Sequence, residues 1–288
     1  MNRPSAELPA VARRIATASL LALMAVQLIA GARAWTATSD EITHLPSGYV
    51  NLVTGDPRLN PQHPPLAKLL AALPLFAVDP SFDRDDPAWT ADPPREWEFG
   101  ERFLYENDPD RLLFLGRLPM IGLALLLAWI VGQFAADLFG DRAGLAALAL
   151  VALSPNVLAH GRLVTMDVPV ACFSTWFVHR LWRHARDGRR RDAVLAGLAL
   201  GLALATKFSA LILLPVLAVL APLAIRRDGR SPIRRILAGL GLAGAVTVIA
   251  IVVVLAVYRF PSDPGFYLDG VLRVNADHDP NRAYYLLG

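Results

Sequence analysis

Long apolar runs separated by polar segments dominate the chain. Seven runs approach the ~20 residues that cross a bilayer, and the fifth and sixth are separated only by Thr206 and Lys207. We interpret these two short runs as separate spans joined by a tight outer turn, because one straight helix through both would be too long. The pattern predicts an all-α polytopic integral membrane protein with about seven transmembrane helices, at about 15–35, 111–135, 142–159, 166–182, 192–206, 208–225 and 234–258.

A long polar segment, residues 37–110, separates the first two runs. It holds 14 Asp and Glu against 5 Lys and Arg, a local charge of −9. Within 64–78, the leucines at 66, 69, 70 and 73 have the i, i+3, i+4, i+7 spacing of an amphipathic helix, which predicts a helix lying on the membrane. The stretch 79–103 is polar and Pro-rich, and we expect it to be irregular.

Composition and charge agree with a membrane protein. The chain of 288 residues is 55% hydrophobic and 18% charged, with a mean hydropathy of +0.41, and a soluble domain of this length would need more polar surface. The basic pI of about 9.3 comes from arginines between apolar runs, a pattern typical of cytoplasmic loops rather than of nucleic-acid binding. One cysteine, Cys172, excludes an internal disulfide and a Cys-based metal site.

The arginine clusters predict the orientation. Segment 180–191 carries six Arg against one Asp, segment 226–235 carries five against one, and further arginines precede the first run. The positive-inside rule places all three on the cytoplasmic side. Residues 1–14 are then a cytoplasmic N-terminus, residues 15–258 a transmembrane domain whose loop 37–110 is external, and residues 259–288 an external segment. The small residues of "GARAWTA" leave a cleaved signal peptide as an alternative, although the apolar core at about 15–32 is longer than usual.

Two sets of acids are candidates for chemistry. Asp40 and Glu41 follow the first apolar run directly. One of them could point into a cavity between spans, where its surroundings would adjust its pKa for general-base work; alternatively both are solvated, or Ser39 or Asp40 caps the next helix. Asp167 begins a predicted span on the same face, where either a site or the helix dipole would favour an acid.

The basic and histidine residues give a weaker signal. Lys207 is surrounded by apolar residues, so it either reaches the headgroups or binds a phosphate, and Arg162, Arg117, Arg58 and Lys68 lie near the same predicted interface. His44 stands three residues after Glu41, but no spacing here matches a zinc pattern. Nucleotide-binding and G-x-S-x-G motifs are absent from the sequence.

Four stretches carry a family resemblance: "SDEITHLPSGYVNLVTGDPRLNPQHPPLAKLLAALPL", "GRLPM", "LSPNVLAHGRLVTMDVPVACF" and "GLALGLALATKFSALILLPV". In order and spacing they resemble the dolichyl-phosphate-mannose–protein mannosyltransferase family, whose bacterial relatives include the enzyme that transfers aminoarabinose to lipid A. The resemblance covers about 35–288. It implies a C-type glycosyltransferase that uses polyprenyl-phosphate sugars, placed in a bacterial inner (plasma) membrane with its site on the periplasmic face.

The resemblance also implies roles for single residues. The acid of the first external loop is catalytic in this family, "HPPLAK" belongs to helices that shape the cavity, and "TKFS" supplies a contact to the lipid-linked phosphate. Family members continue for several more spans, so we expect the 288-residue chain to be a fragment or a shortened gene product. The expected site consists of the catalytic groups Asp40, Glu41 and Asp167, the donor-phosphate ligands Lys207, Arg162 and Arg58, and the cavity-lining groups His63, Lys68 and His160.

The expected reaction is glycosyl transfer with inversion. Asp40 would accept the proton of an acceptor hydroxyl as it attacks the sugar, while cations stabilise the departing polyprenyl phosphate. The partners would be the lipid-linked donor, a protein, lipid or glycan acceptor, and the bilayer, without nucleic acid. The residues point to no definite cofactor, and a divalent cation (Mg²⁺ or Mn²⁺) stays an open alternative. The alternatives from other classes are a transporter or lipid flippase, and an inactive truncated scaffold subunit.

Overall fold

The structure, a computed structural model, describes residues 9–225, 231–263 and 265–277. Expectations for the chain ends and for part of the cluster 226–235 therefore lie outside the described residues. The described part is all-helical. Its α-helices are α1 Ala10–Ala34, α2 Ser39–Thr54, α3 Leu66–Ala72, α4 Pro87–Thr90, α5 Glu96–Tyr105, α6 Pro109–Phe139, α7 Asp141–Ala152, α8 Pro155–His160, α9 Asp167–Asp187, α10 Arg190–Leu204, α11 Leu213–Ala224, α12 Pro232–Val257 and α13 Phe266–Asp277, with 3₁₀ turns at Leu73–Ala77 and Phe208–Ile212.

Three of the described helices, α1, α6 and α12, are long and apolar enough to cross a membrane. Two shorter apolar helical stretches cover Leu66–Ala77 and Phe208–Ala224. Every one of the predicted runs is at least partly helical, but 142–159 is divided between α7 and α8, where Pro155 starts a new helix after a break at Leu153 and Ser154. The count of seven spans stays a prediction.

The predicted break between the fifth and sixth runs is confirmed. Helix α10 ends at Leu204, and Lys207 has an extended backbone (φ −149°, ψ 134°) before the 3₁₀ turn begins at Phe208. Directly after the break, Phe208 and Ala210 are buried. The polar pair Thr206–Lys207 is therefore a corner of the fold between two helices rather than the middle of a single one.

Segment 37–110 is more ordered than we expected. Helix α5 forms within the stretch expected to be irregular, because Phe99, Phe103 and Leu104 share one buried face that packs near α2. A Cβ on Gly100 would lie 1.9 Å from the Ile42 carbonyl oxygen, so glycine permits close approach of the two helices. In this stretch, the proline and aspartate content misled the prediction, and the apolar spacing of 99–104 was the better guide.

The expected helix at 64–78 is present as α3 and the following 3₁₀ turn, but a different face is buried. Ala67, Lys68 and Ala71 are buried, whereas Leu73 is half exposed. The leucine stripe is thus only partly covered by protein. Whether the exposed leucines contact a membrane stays a prediction.

Three apolar cores join the helices. One lies among α1, α6, α7 and α9, a second joins α2–α5 to the first half of α6, and the third lies among α9–α12. In the third, α10 packs between α9 and α12. A Cβ on Gly201 would lie 2.6 Å from Val253 Cβ, and one on Gly197 would lie 2.8 Å from Ile249 Cβ. Small residues four positions apart allow such close helix packing in membranes.

Gly201→Leu should therefore destabilise the protein, because α10 and α12 would have to separate. Overpacking of this kind costs about 1–3 kcal/mol, which a thermal unfolding curve of the detergent-solubilised protein would measure. Gly244→Leu is the matched control, since a Cβ there meets no atom within 4 Å. Equal melting temperatures for the two variants would contradict the close contact.

Candidate active site

Glu41 and Arg117 form a buried ion pair at the start of α2. Their side chains are 0% and 1% exposed, and the pair is bidentate, with Arg117 Nε 2.8 Å from Oε1 and Nη2 2.7 Å from Oε2. Burial alone would raise the pKa of the Glu41 carboxyl, but the hydrogen bonds and charge of Arg117 hold this pKa below its usual value. Glu41 is therefore an ionised, fully partnered carboxylate.

The remaining donors of Arg117 bind the last turn of α1 and the connection to α2. Nη1 donates to the carbonyl oxygens of Ala32 and Trp35, and Nη2 also donates to that of Thr36. Glu41 in turn accepts from the backbone N–H of Thr38, the N-cap residue of α2. The expectation that Ser39 or Asp40 caps this helix is wrong by one or two residues. Glu41 acts as a capping residue and anchor, not as a group free for chemistry.

Of the two adjacent acids, Asp40 is the one with an accessible carboxylate. It lies in the first turn of α2 and is exposed. Among the residues that the structure describes, its carboxylate has no hydrogen bond or ion-pair partner. Asp40 can therefore accept a proton without first breaking an ion pair.

A pair of histidines begins one helical turn after this acid. His44, one helical turn after Asp40, is buried, and its Nδ1 is 3.0 Å from the Val164 carbonyl oxygen. A carbonyl can only accept, so Nδ1 carries the hydrogen and Nε2 has the free lone pair. The His63 ring lies 5.7 Å from that of His44. Burial and the charge of Lys68 lower the pKa of His44 to about 4, and burial with the charges of His44 and Lys68 lowers that of His63 to about 3.

Lys68, the last residue of the "HPPLAK" segment, is buried. Its ammonium donates to the backbone and side-chain oxygens of Asn60 and to the carbonyl oxygen of His63 at 2.8 Å. Burial lowers the pKa of Lys68 to about 7. The lysine therefore fixes the turn that carries His63, and its own charge is poised near neutral pH.

Asp167 and Lys207 form an ion pair with Nζ 2.6 Å from Oδ1. The aspartate is 60% exposed, and both residues lie within electrostatic range of His63, as His160 does of Asp167. The backbone N–H of Leu66 donates to the Ala205 carbonyl oxygen at 3.0 Å, which joins the start of α3 to the corner before Lys207. The expected acid and phosphate ligand thus neutralise each other.

A cleft of about 510 Å³ opens beside His63 and Lys68. The loop after α2 contributes one wall, and the chain from the end of α12 to α13 contributes the other. Arginines at three positions line the cleft together with two aspartates and several aromatic rings. The lining includes Arg58, His63, Lys68, Phe208, Tyr258, Arg259, Asp263, Phe266, Asp269 and Arg273.

The sequence analysis missed Arg259 and Arg273. Arg259 follows α12 directly and has a positive φ of 59°, a strained conformation for a residue with a side chain. Its Nη2 is 3.2 Å from the Leu52 carbonyl oxygen, and it lies against Gly55, whose φ of 81° requires glycine. In the sequence, the signal for Arg259 is its position immediately after an apolar run, on the same predicted side of the membrane as Arg58.

The expected phosphate ligands Arg58 and Arg162 lie at different places in the structure. Arg58 lines the cleft, although it also makes a bidentate contact with Asp56. Arg162 lies elsewhere, against α1, where its guanidinium stacks 4.9 Å from the Trp35 ring. Arg162 has no carboxylate partner among the described residues, and its buried Nε has no hydrogen-bond acceptor there. The cleft and Arg162 are therefore separate cationic positions.

The described residues do not supply an evident metal site. Among residues 9–225, 231–263 and 265–277, no three His, Cys, Asp or Glu side chains are grouped so that they could hold a metal ion. The divalent-cation alternative thus finds no ligand set in this part of the chain.

Comparison with known proteins identifies the family. A sequence profile described as dolichyl-phosphate-mannose-protein mannosyltransferase matches residues 112–256, half of the chain. The chain belongs to this mannosyltransferase family. No curated protein matches it. Membership indicates a membrane glycosyltransferase, in agreement with the apolar helices of the fold.

The mannosyltransferase match covers only part of the candidate site. Arg117, Arg162, Asp167 and Lys207 lie inside it, and so does His160. Asp40, Glu41 and the "HPPLAK" segment precede residue 112, while Arg259 and Arg273 follow residue 256. The ion pair of Glu41 with Arg117 and the backbone bond from Leu66 to Ala205 join the matched part to the preceding segment.

Arg117→Met should be severely destabilising, because it leaves Glu41 as a buried charge without its counter-ion. Breaking one side of such a pair costs about 3–5 kcal/mol. The double variant Arg117→Met/Glu41→Leu should be more stable than Arg117→Met alone, since no uncompensated charge remains. Thermal unfolding in detergent measures both.

Arg58→Gln is the control for that experiment, since the Arg58 side chain is 57% exposed in its pair with Asp56. Its loss should cost less than about 1 kcal/mol. An Arg117→Met protein as stable as Arg58→Gln would show that the buried pair does not hold the fold together.

Proposed function

We propose that the protein transfers a sugar from a polyprenyl-phosphate donor to an acceptor hydroxyl on the external face of the membrane, with inversion. Family membership supports glycosyl transfer. The observation that carries the residue assignment is the contrast within one dipeptide: Glu41 is completely buried and paired, whereas Asp40 beside it is exposed and unpaired in the described structure. A general base must be able to reach and accept the proton, and the paired carboxylate of Glu41 is not available for this.

In the proposed reaction, Asp40 accepts the hydroxyl proton of the acceptor. The acceptor oxygen then forms its bond to the anomeric carbon from the side opposite the phosphate, and the bond between this carbon and the phosphate oxygen breaks. The electron pair leaves with the phosphate, which changes from a singly charged diester to a monoester. Added negative charge on the leaving group must be stabilised by fixed cations.

The cleft lined by Arg58, Arg259 and Arg273 is the proposed position of the donor phosphate. Arginine suits phosphate because its planar fork donates two parallel hydrogen bonds. With Lys68 protonated, these four cations outnumber Asp263 and Asp269, which line the same cleft. The strained backbone at Arg259 supports a functional role, because strain of this kind concentrates at binding sites. Lys207 and Asp167 would then act on the acceptor side as a neutral pair.

The proposed topology keeps seven spans, with the N-terminus in the cytoplasm of a bacterial cell and segment 37–110 outside. Two contacts support placing the arginine-rich ends together on one side: Arg13 pairs with Asp141 at 2.6 Å, and His179 contacts Asp137 at 2.8 Å. The proposed division is a cytoplasmic N-terminus to residue 14, a transmembrane domain to residue 258 and an external segment after it.

Asp40→Asn should abolish transfer while the protein stays folded, because the amide cannot accept the proton. Loss of a general base typically lowers the rate about 10²–10⁴-fold. The assay incubates membranes that contain the full-length protein with polyprenyl-phosphate mannose or polyprenyl-phosphate aminoarabinose, and measures product by mass spectrometry.

Asp110→Asn is the matched control, as Asp110 is likewise an exposed acid in the first turn of a helix. It should keep the wild-type rate. An Asp40→Asn protein that transfers sugar at the wild-type rate would reject Asp40 as the base. A wild type that moves intact lipid across the bilayer without forming product would favour the flippase alternative.

Arg259→Gln should weaken donor binding, because a charge-assisted contact to phosphate is lost. We expect the donor KM to rise about tenfold or more, with polyprenyl-phosphate mannose as the varied substrate. Arg84→Gln removes an exposed arginine of segment 37–110 that does not line the cleft and should leave KM unchanged. A rise of the same size in both variants would indicate a general charge effect and not a site at Arg259.

A further inference from the structure

The end of α9 carries an excess of arginine that the proposed reaction does not use. Residues 180–191 contain six arginines. Among the residues that the structure describes, three carboxylates lie within 4.0 Å of these arginines, those of Asp137, Asp187 and Asp192. Within that part of the chain, and with the histidines neutral, the six arginines outnumber these carboxylates by three.

Arg183 is a weakly paired and partly buried member of this cluster. Its nearest carboxylate, that of Asp137, is 3.9 Å away and is shared with His179 at 2.8 Å and with Arg186 at 3.4 Å. The Nε of Arg183 is buried without a hydrogen-bond acceptor in the described part of the chain, and so is that of Arg180. Buried donors normally have a partner, so the cluster can accept a further anionic group.

An apolar cavity of about 320 Å³ lies next to the cluster, between α6, α9 and α11. Trp182 belongs to both features, because its ring lines the cavity while the Arg186 guanidinium stacks 4.6 Å from it. Leu223, which is 67% exposed, lies on the open side of the cavity. The cavity is lined by Phe134, Val178, Leu181, Trp182, Ala185, Leu220, Leu223 and Ala224.

We propose that this cavity and the arginines at its rim form a binding site for one anionic phospholipid. An acyl chain fills the apolar cavity, and the headgroup phosphate contacts Arg183 and Arg186. A soluble anion would leave the cavity empty, and a zwitterionic lipid would bring a positive group close to the arginine excess. Basic pockets between membrane helices bind anionic headgroups by the same combination of charge and apolar contact. This site is independent of the proposed transfer reaction.

Fluorescence quenching of Trp182 tests the proposal. The protein is placed in nanodiscs of a fixed mixture of phosphatidylglycerol and phosphatidylcholine, with brominated acyl chains carried by one lipid or the other at equal mole fraction. The Trp182 signal is obtained by subtracting that of Trp182→Phe, which removes the other five tryptophans from the comparison. Brominated phosphatidylglycerol should quench Trp182 more strongly than brominated phosphatidylcholine. A preference of about fivefold for each contributing arginine is expected.

Two variants probe the two halves of the site. Arg183→Gln/Arg186→Gln should reduce the preference for phosphatidylglycerol by about fivefold or more. Ala185→Leu fills the cavity and should reduce quenching by both brominated lipids. Arg14→Gln/Arg142→Gln is the matched control, because it removes two exposed arginines at the same end of the bundle but away from the cavity. The control should quench like the wild type.

Three results would overturn the proposal. Equal quenching by the two lipids in the wild type would exclude a preference for anionic headgroups. Equal loss of preference in the two double variants would mean that overall surface charge, not the cluster, attracts the lipid. Unchanged quenching in Ala185→Leu would mean that the acyl chain does not occupy the cavity, and this result remains informative if the arginine double variant fails to fold.

Discussion

The Arg117 guanidinium is the interaction on which the arrangement of this site depends. All five of its N–H groups are used, two on Glu41 and three on carbonyl oxygens of the last turn of α1 and the connection to α2. Glu41 then accepts from the Val164 backbone N–H at 3.1 Å, which brings in the loop before α9. Lysine could not replace this residue, because three donors on one nitrogen cannot reach these five acceptors.

Helix geometry explains how adjacent acids acquire opposite roles. Successive residues of an α-helix point about 100° apart, so when Glu41 turns inward to Arg117, Asp40 must turn elsewhere. The buried pair thus orients the exposed acid. His44 also contacts Val164, through the carbonyl group, so both polar groups of this one peptide residue are held by α2. The proposed base stands on a helix that is fixed at each of its first two turns.

The apolar runs predicted the helices well, because segregation of apolar residues is a local property of the sequence. The break at Thr206–Lys207 was predicted for the same reason. By contrast, α5 was missed because the prolines and aspartates of the preceding residues 79–94 outweighed the spacing of Phe99 and Phe103. At the site, residue types identified Asp40, His63 and Lys68 as candidates. The sequence cannot reveal that the ammonium group of Lys207 forms an ion pair with Asp167. The position of Arg259 in the cleft depends on contacts with residues about 200 positions away. A local sequence pattern contains no information about such contacts.

The cleft joins parts of the chain that are made at very different times. Arg259 donates to Leu52, 207 positions earlier, and Tyr267 in α13 donates to the Leu204 carbonyl oxygen. At ~5–20 residues per second, the ribosome completes the second wall on the order of 10–40 s after the first. Asp40 and the anchor Arg117 are both made before the arginine pair of the later wall exists. The nascent protein therefore carries a proton acceptor before it has a complete anion cleft, and the timing of translation keeps the two apart.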